Sequence, residues 1–150
     1  YRIKMEISIK TFSEFTLEEL YQILQLRSEV FVVEQDCVYQ DIDGKDQEAL
    51  HIMGSLKGKI IAYTRCFPPG IYFEEAAIGR VVVASDQRGH RYGFDIMKAS
   101  VKAIEQNFHT TCIKLSAQTY LTSFYESLGF QTIGEGYLED GIPHIAMIKK

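Results

Sequence analysis

The run Val81-Val82-Val83-Ala84-Ser85-Asp86-Gln87-Arg88-Gly89-His90-Arg91-Tyr92-Gly93 sets how the rest of this chain is read. Consecutive valines make a strand, and the polar, glycine-containing basic turn after them stops it. Beyond the turn, Met97, Val101, Ile104 and Phe108 recur at helical intervals, so an amphipathic helix lays its stripe on the sheet. A helix opens with N–H groups that have no partner of their own and with the positive end of its dipole, and both suit a phosphate. Arg88 and Arg91 add positive charge there, with His90 between them.

Working outward, Ile3, Ile7 and Ile9 alternate with polar residues as in a half-buried first strand. Thr16 and Glu19 form a capping box, with Phe15 and Leu20 at the staple positions, so a helix starts at residue 17. Its expected buried stripe is Leu17, Leu20, Tyr21, Leu24 and Phe31, fading near Val33 before a polar loop, Gln35 to Gln47. Residues 50–56 and 59–66 read as a hairpin through Lys57-Gly58, ended by Pro68-Pro69-Gly70.

A central strand from about Phe73 to Ala84 follows, nearly continuous in apolar content at its end. Thr111 to Ala117 reads as the next strand, and Leu121, Phe124, Tyr125 and Leu128 as the stripe of a short helix stopped at Gly129. Residues 131–135 and 144–149 are the last strands, separated by a loop containing Asp140-Gly141 and Pro143. The order βαββ, β, α, β, α, ββ is that of an α/β (α+β) domain with a mixed sheet flanked by helices.

The 150 residues fit one domain, 1–150, long enough to bury a real core. Hydrophobic content of 46% against 24% charged is ordinary for a water-soluble protein, and no run approaches a membrane helix. Net charge is −4, which argues against a nucleic-acid surface and for a small anionic ligand at the local basic turn. Cys37, Cys66 and Cys112 are odd in number and lack metal spacing, so no disulfide framework or zinc site is expected, and a reducing cytoplasm is. With Met5 following Tyr1, residues 1–4 are expected to carry no function.

The turn Arg88-Gly89-His90-Arg91-Tyr92-Gly93 resembles the acyl-CoA pyrophosphate loop of the GNAT superfamily of N-acyltransferases, written Q/R-x-x-G-x-G/A. Arg91 stands where that motif has Gly, and it suits the site only where the backbone does not require a positive φ. Ser123-Phe124-Tyr125-Glu126-Ser127-Leu128-Gly129-Phe130 resembles the F-Y-x-x-x-G-F segment of the same family. Leu26-Arg27-x-x-Val30-Phe31-Val32-Val33-Glu34-Gln35, then Tyr39-x-Asp41-x-Asp43-x-x-Asp46, His51 and Glu139-Asp140-Gly141-Ile142-Pro143-His144, resemble the ElaA-like subgroup.

That resemblance implies a GNAT fold with a mostly antiparallel central sheet and acetyl-CoA as cosubstrate, bound in a cleft between strands at 78–84 and 112–117. It implies that Val81, Val82 and Val83 present backbone groups to pantetheine and the acyl carbonyl, on a strand that splays from its neighbour. Arg88, Gly89, His90, Arg91, Tyr92 and Gly93 would hold the pyrophosphate, and Tyr125 would protonate the departing thiolate. A phenol of pKa about 10 can serve a thiolate whose conjugate acid lies near 8.5.

An acceptor amine must lose a proton before it attacks, and His51, His144, Glu34 and Glu75 are the candidate bases, with Glu34 and His144 ranked first. Asp41, Asp43 and Asp46 do not make a calcium loop, since Lys45 and Ile52 stand where ligands are needed. They are expected to form either a solvated acidic loop or an amine-attracting rim. The acceptor is a small-molecule or peptide amine, and no metal, nucleic acid or membrane is expected; a homodimer stays open. The competing reading is a non-catalytic acyl-CoA-binding or sensing module.

Overall fold

The computed structural model describes residues 3–150. One seven-stranded sheet runs through it in the order β1-β2-β3-β4-β5-β7-β6. Its strands are β1 (Glu6–Thr11), β2 (Leu50–Leu56), β3 (Lys59–Phe67), β4 (Ala76–Val83), β5 (Ile113–Gln118), β6 (Gln131–Glu139) and β7 (Ile142–Lys149). The helices are α1 (Leu17–Arg27), α2 (Tyr92–Phe108) and α3 (Thr122–Glu126). Only the β4–β5 pair is parallel. The expected GNAT architecture, a mixed and mostly antiparallel sheet with helices on it, is what forms.

Helix α1 begins as its capping box dictates. Thr16 Oγ1 accepts from the Glu19 N–H at 3.1 Å, and Glu19 Oε1 accepts from the Thr16 N–H at 2.9 Å. The buried face differs from the expected stripe. Leu17 and Tyr21 are 89% and 70% exposed, and the side against the sheet is Ile23, Leu26, Arg27 and Val30. That set is equally helical in spacing, but a charged Arg27 in its middle hides it from a hydrophobicity count. Past Arg27 the helix continues as π-helical turns over Ser28–Glu34, so it ends close to the expected point.

Helix α2 packs Ile96, Met97, Ala103 and Ile104 on one face of the sheet against Ile52, Ile61, Leu115 and Met147. On the other face α1 covers Met53, Tyr63 and Val82. Burying each such aliphatic side chain contributes about 1.5–3 kcal/mol. The first strand departs from expectation: β1 starts at Glu6 on the sheet edge, Ile7 and Ile9 stay 40% and 41% exposed, and Met5 is the residue buried. Gly54 of β2 makes room for it, since a Cβ there would come 2.3 Å from the Met5 sulfur. Ile3 is not idle either, because its carbonyl accepts from the Tyr92 hydroxyl.

The β2–β3 turn is Lys57-Gly58 with φ of 51° and 78°, the twist a two-residue hairpin needs. Strand β4 is shorter than expected, starting at Ala76 rather than Phe73. The last two strands are longer: β6 and β7 run to a two-residue turn at Asp140-Gly141, so the expected loop is paired strand. Pro143 fits because it lies near the start of its strand, opposite Leu138.

A bulge divides β4. Tyr63 pairs with Val82 but Arg65 pairs with Gly79, so two residues of β4, Arg80 and Val81, stand against Thr64 alone. Arg80 takes φ of 50° there. The extra residue reverses which face later side chains point to: Ile78 packs with α2, whereas Val82 packs with α1. The ladder between β4 and β5 holds only at Ala76–Ile113 and Ala77–Lys114. Beyond it the two strands part.

Candidate active site

A cleft of about 710 Å³ opens in that gap, with Ile78–Val83 on one wall and Leu115, Ser116 and Gln118 on the other. It reaches the start of α2 at one end and the β6–β7 hairpin at the other. The splay expected of the strand carrying Val81, Val82 and Val83 is therefore present. Val82 is buried in the α1 layer, while Val81 and Val83 are half-buried on the cleft. Backbone groups of β4 beyond Ala77 have no β5 partner, as backbone that binds a ligand in place of a strand requires. The Val83 carbonyl already accepts from Arg88 Nε at 3.2 Å.

The basic turn lies where α2 starts. The first helical bond runs from the Asp95 N–H to the Arg91 carbonyl, so the amides of Gly93 and Phe94 precede the ladder and sit at the positive end of the 17-residue helix. Gly89 has φ of 86° with nothing near its missing Cβ. Arg91 has φ of 64°, so the position where the motif carries Gly does require a left-handed backbone. The arginine adopts it at a cost of roughly 1–2 kcal/mol. Its guanidinium lies 4.9 Å from the Phe94 ring centre. Tyr92 is turned inward to the Ile3 carbonyl, and His90 is exposed with its ring 5.9 Å from that of Tyr92.

Arg88 is already partnered. Its two terminal nitrogens donate to Glu34 Oε2 at 2.6 Å and Oε1 at 3.1 Å. Both residues are partly exposed at the mouth of the cleft, so this fork is one an anionic ligand can compete for. Glu34, ranked first among the bases, thus sits at the α2 end as the counter-ion of Arg88. Both of its carboxylate oxygens are taken up in that contact.

Tyr125 lies on α3 against Phe124 and Phe130, its ring centres 5.1 and 6.1 Å away, and lines the cleft. Burial pushes its pKa well above the ordinary phenol value. The hydroxyl therefore keeps its proton throughout the neutral range. His144 comes from the opposite strand pair, facing Gln118 of β5 and Tyr137 of β6 in register. Its Nδ1 lies 2.7 Å from the Ile142 carbonyl and its Nε2 lies 3.4 Å from Glu139 Oε2.

Of the other candidate bases, His51 is spent on structure. It is buried, with Nδ1 on the Tyr63 hydroxyl at 2.5 Å and Nε2 on the Asp46 carbonyl at 2.8 Å. Burial, with Arg27 and Arg65 nearby, lowers its pKa despite the Asp46 carbonyl, so it stays neutral. Glu75 lies outside the cleft lining, just before β4.

The acidic loop is neither solvated nor a rim. Asp41 and Asp46 are buried, held by Arg27 Nε at 2.9 Å and Nη1 at 2.8 Å. Arg65 grips Asp43 at 2.8 Å and Asp46 at 3.0 Å, and Arg80 reaches Asp41 at 2.7 Å. Burial raises the pKa of Asp43 and Asp46, but the arginine contacts outweigh it and hold both low. Three aspartates against three arginines leave no net charge, so the loop is pinned to α1, β3 and the β4 bulge. Among the described residues no group of three or more His, Cys, Asp or Glu could hold a metal ion, and no helix is long and apolar enough to cross a membrane.

Tyr39, Arg80, Ser116 and Glu139 also line the cleft, without a local signal in the sequence that places them there. Arg80 owes its place to a bulge, and Ser116 and Glu139 meet through strand register, neither of which composition reveals.

A family model for the acetyltransferase (GNAT) domain matches residues 11–150. Protein ElaA of Escherichia coli strain K12 is 41% identical over 140 residues, 92% of each chain. A UPF0039 protein of Schizosaccharomyces pombe is 39% identical over 145 residues, 95% of each. The crystal structure of an acyl-CoA N-acyltransferase from Pseudomonas aeruginosa superposes with a TM-score of 0.92 at 41% identity, covering 97% of this chain and 99% of that one. The crystal structure of E. coli ElaA gives 0.90 at 38%, with the same coverage.

Proposed function

The chain belongs to the GNAT acetyltransferase family and is an acyltransferase of ElaA-like kind; from that premise we propose that it moves an acetyl group from acetyl-CoA to a primary amine by direct attack. One observation carries the proposal: the gap between β4 and β5 joins the start of α2, which suits a diphosphate, to a buried phenol at Tyr125 and an imidazole at His144.

The amides opening α2, with Arg88 and Arg91, hold the diphosphate, and the unpaired backbone of β4 near Val81–Val83 lies along the pantetheine. Donors from that backbone steady the oxyanion as the thioester carbonyl is attacked. His144 takes a proton from the amine, the amine nitrogen bonds the acyl carbon, and the carbon–sulfur bond breaks. Tyr125 donates its proton to the departing sulfur. Glu34 is the counter-ion that Arg88 exchanges for phosphate oxygens; this replaces the role of base.

Thiol release from acetyl-CoA with a panel of primary amines tests the reading. Repeated turnovers are expected. Tight binding without turnover on any amine would leave a sensing module instead.

A further inference from the structure

On the α1 face of the sheet, strand register gathers a polar group at the β6–β7 end of the cleft. Tyr137 and Glu139 of β6 alternate onto the same face as His144 of β7 and Ser116 and Gln118 of β5. The Ile142 carbonyl can only accept, so Nδ1 of His144 carries a hydrogen at 2.7 Å, and whenever the ring holds a single proton Nε2 presents a lone pair. That lone pair faces Glu139 Oε2 at 3.4 Å.

With a singly protonated ring both sites are acceptors, and a group with several N–H donors satisfies both. Each is held from behind. Ser116 Oγ reaches Glu139 Oε1 at 3.4 Å and bonds the Tyr137 hydroxyl, while the Tyr137 ring stacks on His144 at 6.2 Å and 20°. The Glu139 side chain is 48% exposed and that of His144 8%, so the carboxylate meets an incoming molecule first. Arg80, on the facing wall of the cleft, is taken by Asp41 and Asp43.

We propose that Glu139 and His144 form the ammonium subsite of the acceptor, which selects aliphatic primary amines that are cationic at neutral pH. The inference rests on the acyltransferase reading above and adds the substrate class. The ammonium donates one hydrogen to Glu139 and gives a second, as a proton, to Nε2 of His144. The nitrogen lone pair so freed attacks the acyl carbon while the Glu139 contact keeps the nitrogen in place; as the carbon–sulfur bond breaks, the surplus N–H proton of the adduct replaces the one Tyr125 gives to sulfur, and His144 returns its own proton to water. Glu139 binds and orients; His144 moves the proton.

The experiment compares benzylamine, cationic at neutral pH, with aniline, neutral there, on the wild type and on Glu139→Gln. The variant should lose about tenfold or more in kcat/KM for benzylamine, the scale of a charge-assisted hydrogen bond, and change little for aniline. Benzylamine added without CoA should also shift the side-chain 15N resonances of His144 in the wild type and not in the variant. Equal loss for both amines, or no loss, overturns the subsite. So does the absence of turnover together with unmoved His144 resonances, whereas a shift that the variant abolishes supports it even without turnover. Failure of the wild type to bind acetyl-CoA in calorimetry sinks the acyltransferase proposal alone, because the amine titration does not depend on it.

Discussion

The guanidinium of Arg88 and the carboxylate of Glu34 form a two-pronged ion pair, 2.6 and 3.1 Å, that ties the turn before α2 to the end of the long α1 segment. It spans the mouth of the cleft, so the diphosphate proposed to bind there would meet an arginine that already has a partner. The pair is partly exposed and is worth about 0–1 kcal/mol. Glu34→Gln should therefore tighten acetyl-CoA binding by up to about fivefold and leave kcat nearly unchanged. Calorimetry and steady-state rates check this, and a drop in kcat of a hundredfold with unaltered affinity would restore Glu34 as the base. Arg88→Glu should weaken acetyl-CoA binding with little effect on kcat.

Arg91 carries backbone strain that its side chain offsets functionally. Arg91→Gly should raise folding stability by about 1 kcal/mol, since glycine accepts φ of 64° without a Cβ clash. The same change removes a positive charge from the turn, so acetyl-CoA affinity should fall, most strongly at low salt. Urea unfolding and calorimetry at two salt concentrations measure the two effects.

Tyr125→Phe should lower kcat by about a hundredfold, a modest general-acid contribution, with acetyl-CoA affinity retained. Because burial raises the phenol pKa, the wild-type rate should show no decline attributable to Tyr125 on approach to the ordinary phenol range near 10. Parallel loss of rate and affinity would reduce the residue to packing.

The buried arginine–aspartate network should govern acid stability. Asp43 and Asp46 have folded pKa values below the unfolded value of about 3.9. Their contribution is complete above about pH 5 and fades as pH falls through 3.9 toward the lower folded values. His51, neutral in the fold, adds an earlier loss below its unfolded pKa of about 6.5, where the unfolded chain takes up the proton first. Asp46→Ala leaves Arg27 with Asp41 and Arg65 with Asp43 but one buried positive charge uncompensated, and should cost about 3–5 kcal/mol at neutral pH. Denaturation followed from pH 8 to 3 tests both windows.

The order of elements, the helix starts, the tight turns and the basic turn that opens α2 were legible in the sequence, because each rests on residues close together in the chain. A capping box needs only Thr16 and Glu19; a left-handed turn needs only Lys57-Gly58; the amides opening α2 follow from where the helix begins. What the tertiary structure decided was which face each residue serves and which charges meet. The bulge at Arg80 reverses the faces of β4, and the aspartates of a polar loop become interior partners of arginines from α1, β3 and β4. Glu34 is claimed by Arg88 from 54 residues away, and Glu139 comes to His144 only because β6 and β7 pair to their tips. Strand register and ion pairing across the sheet depend on distances that close only once the chain has packed, and no local spacing encodes them.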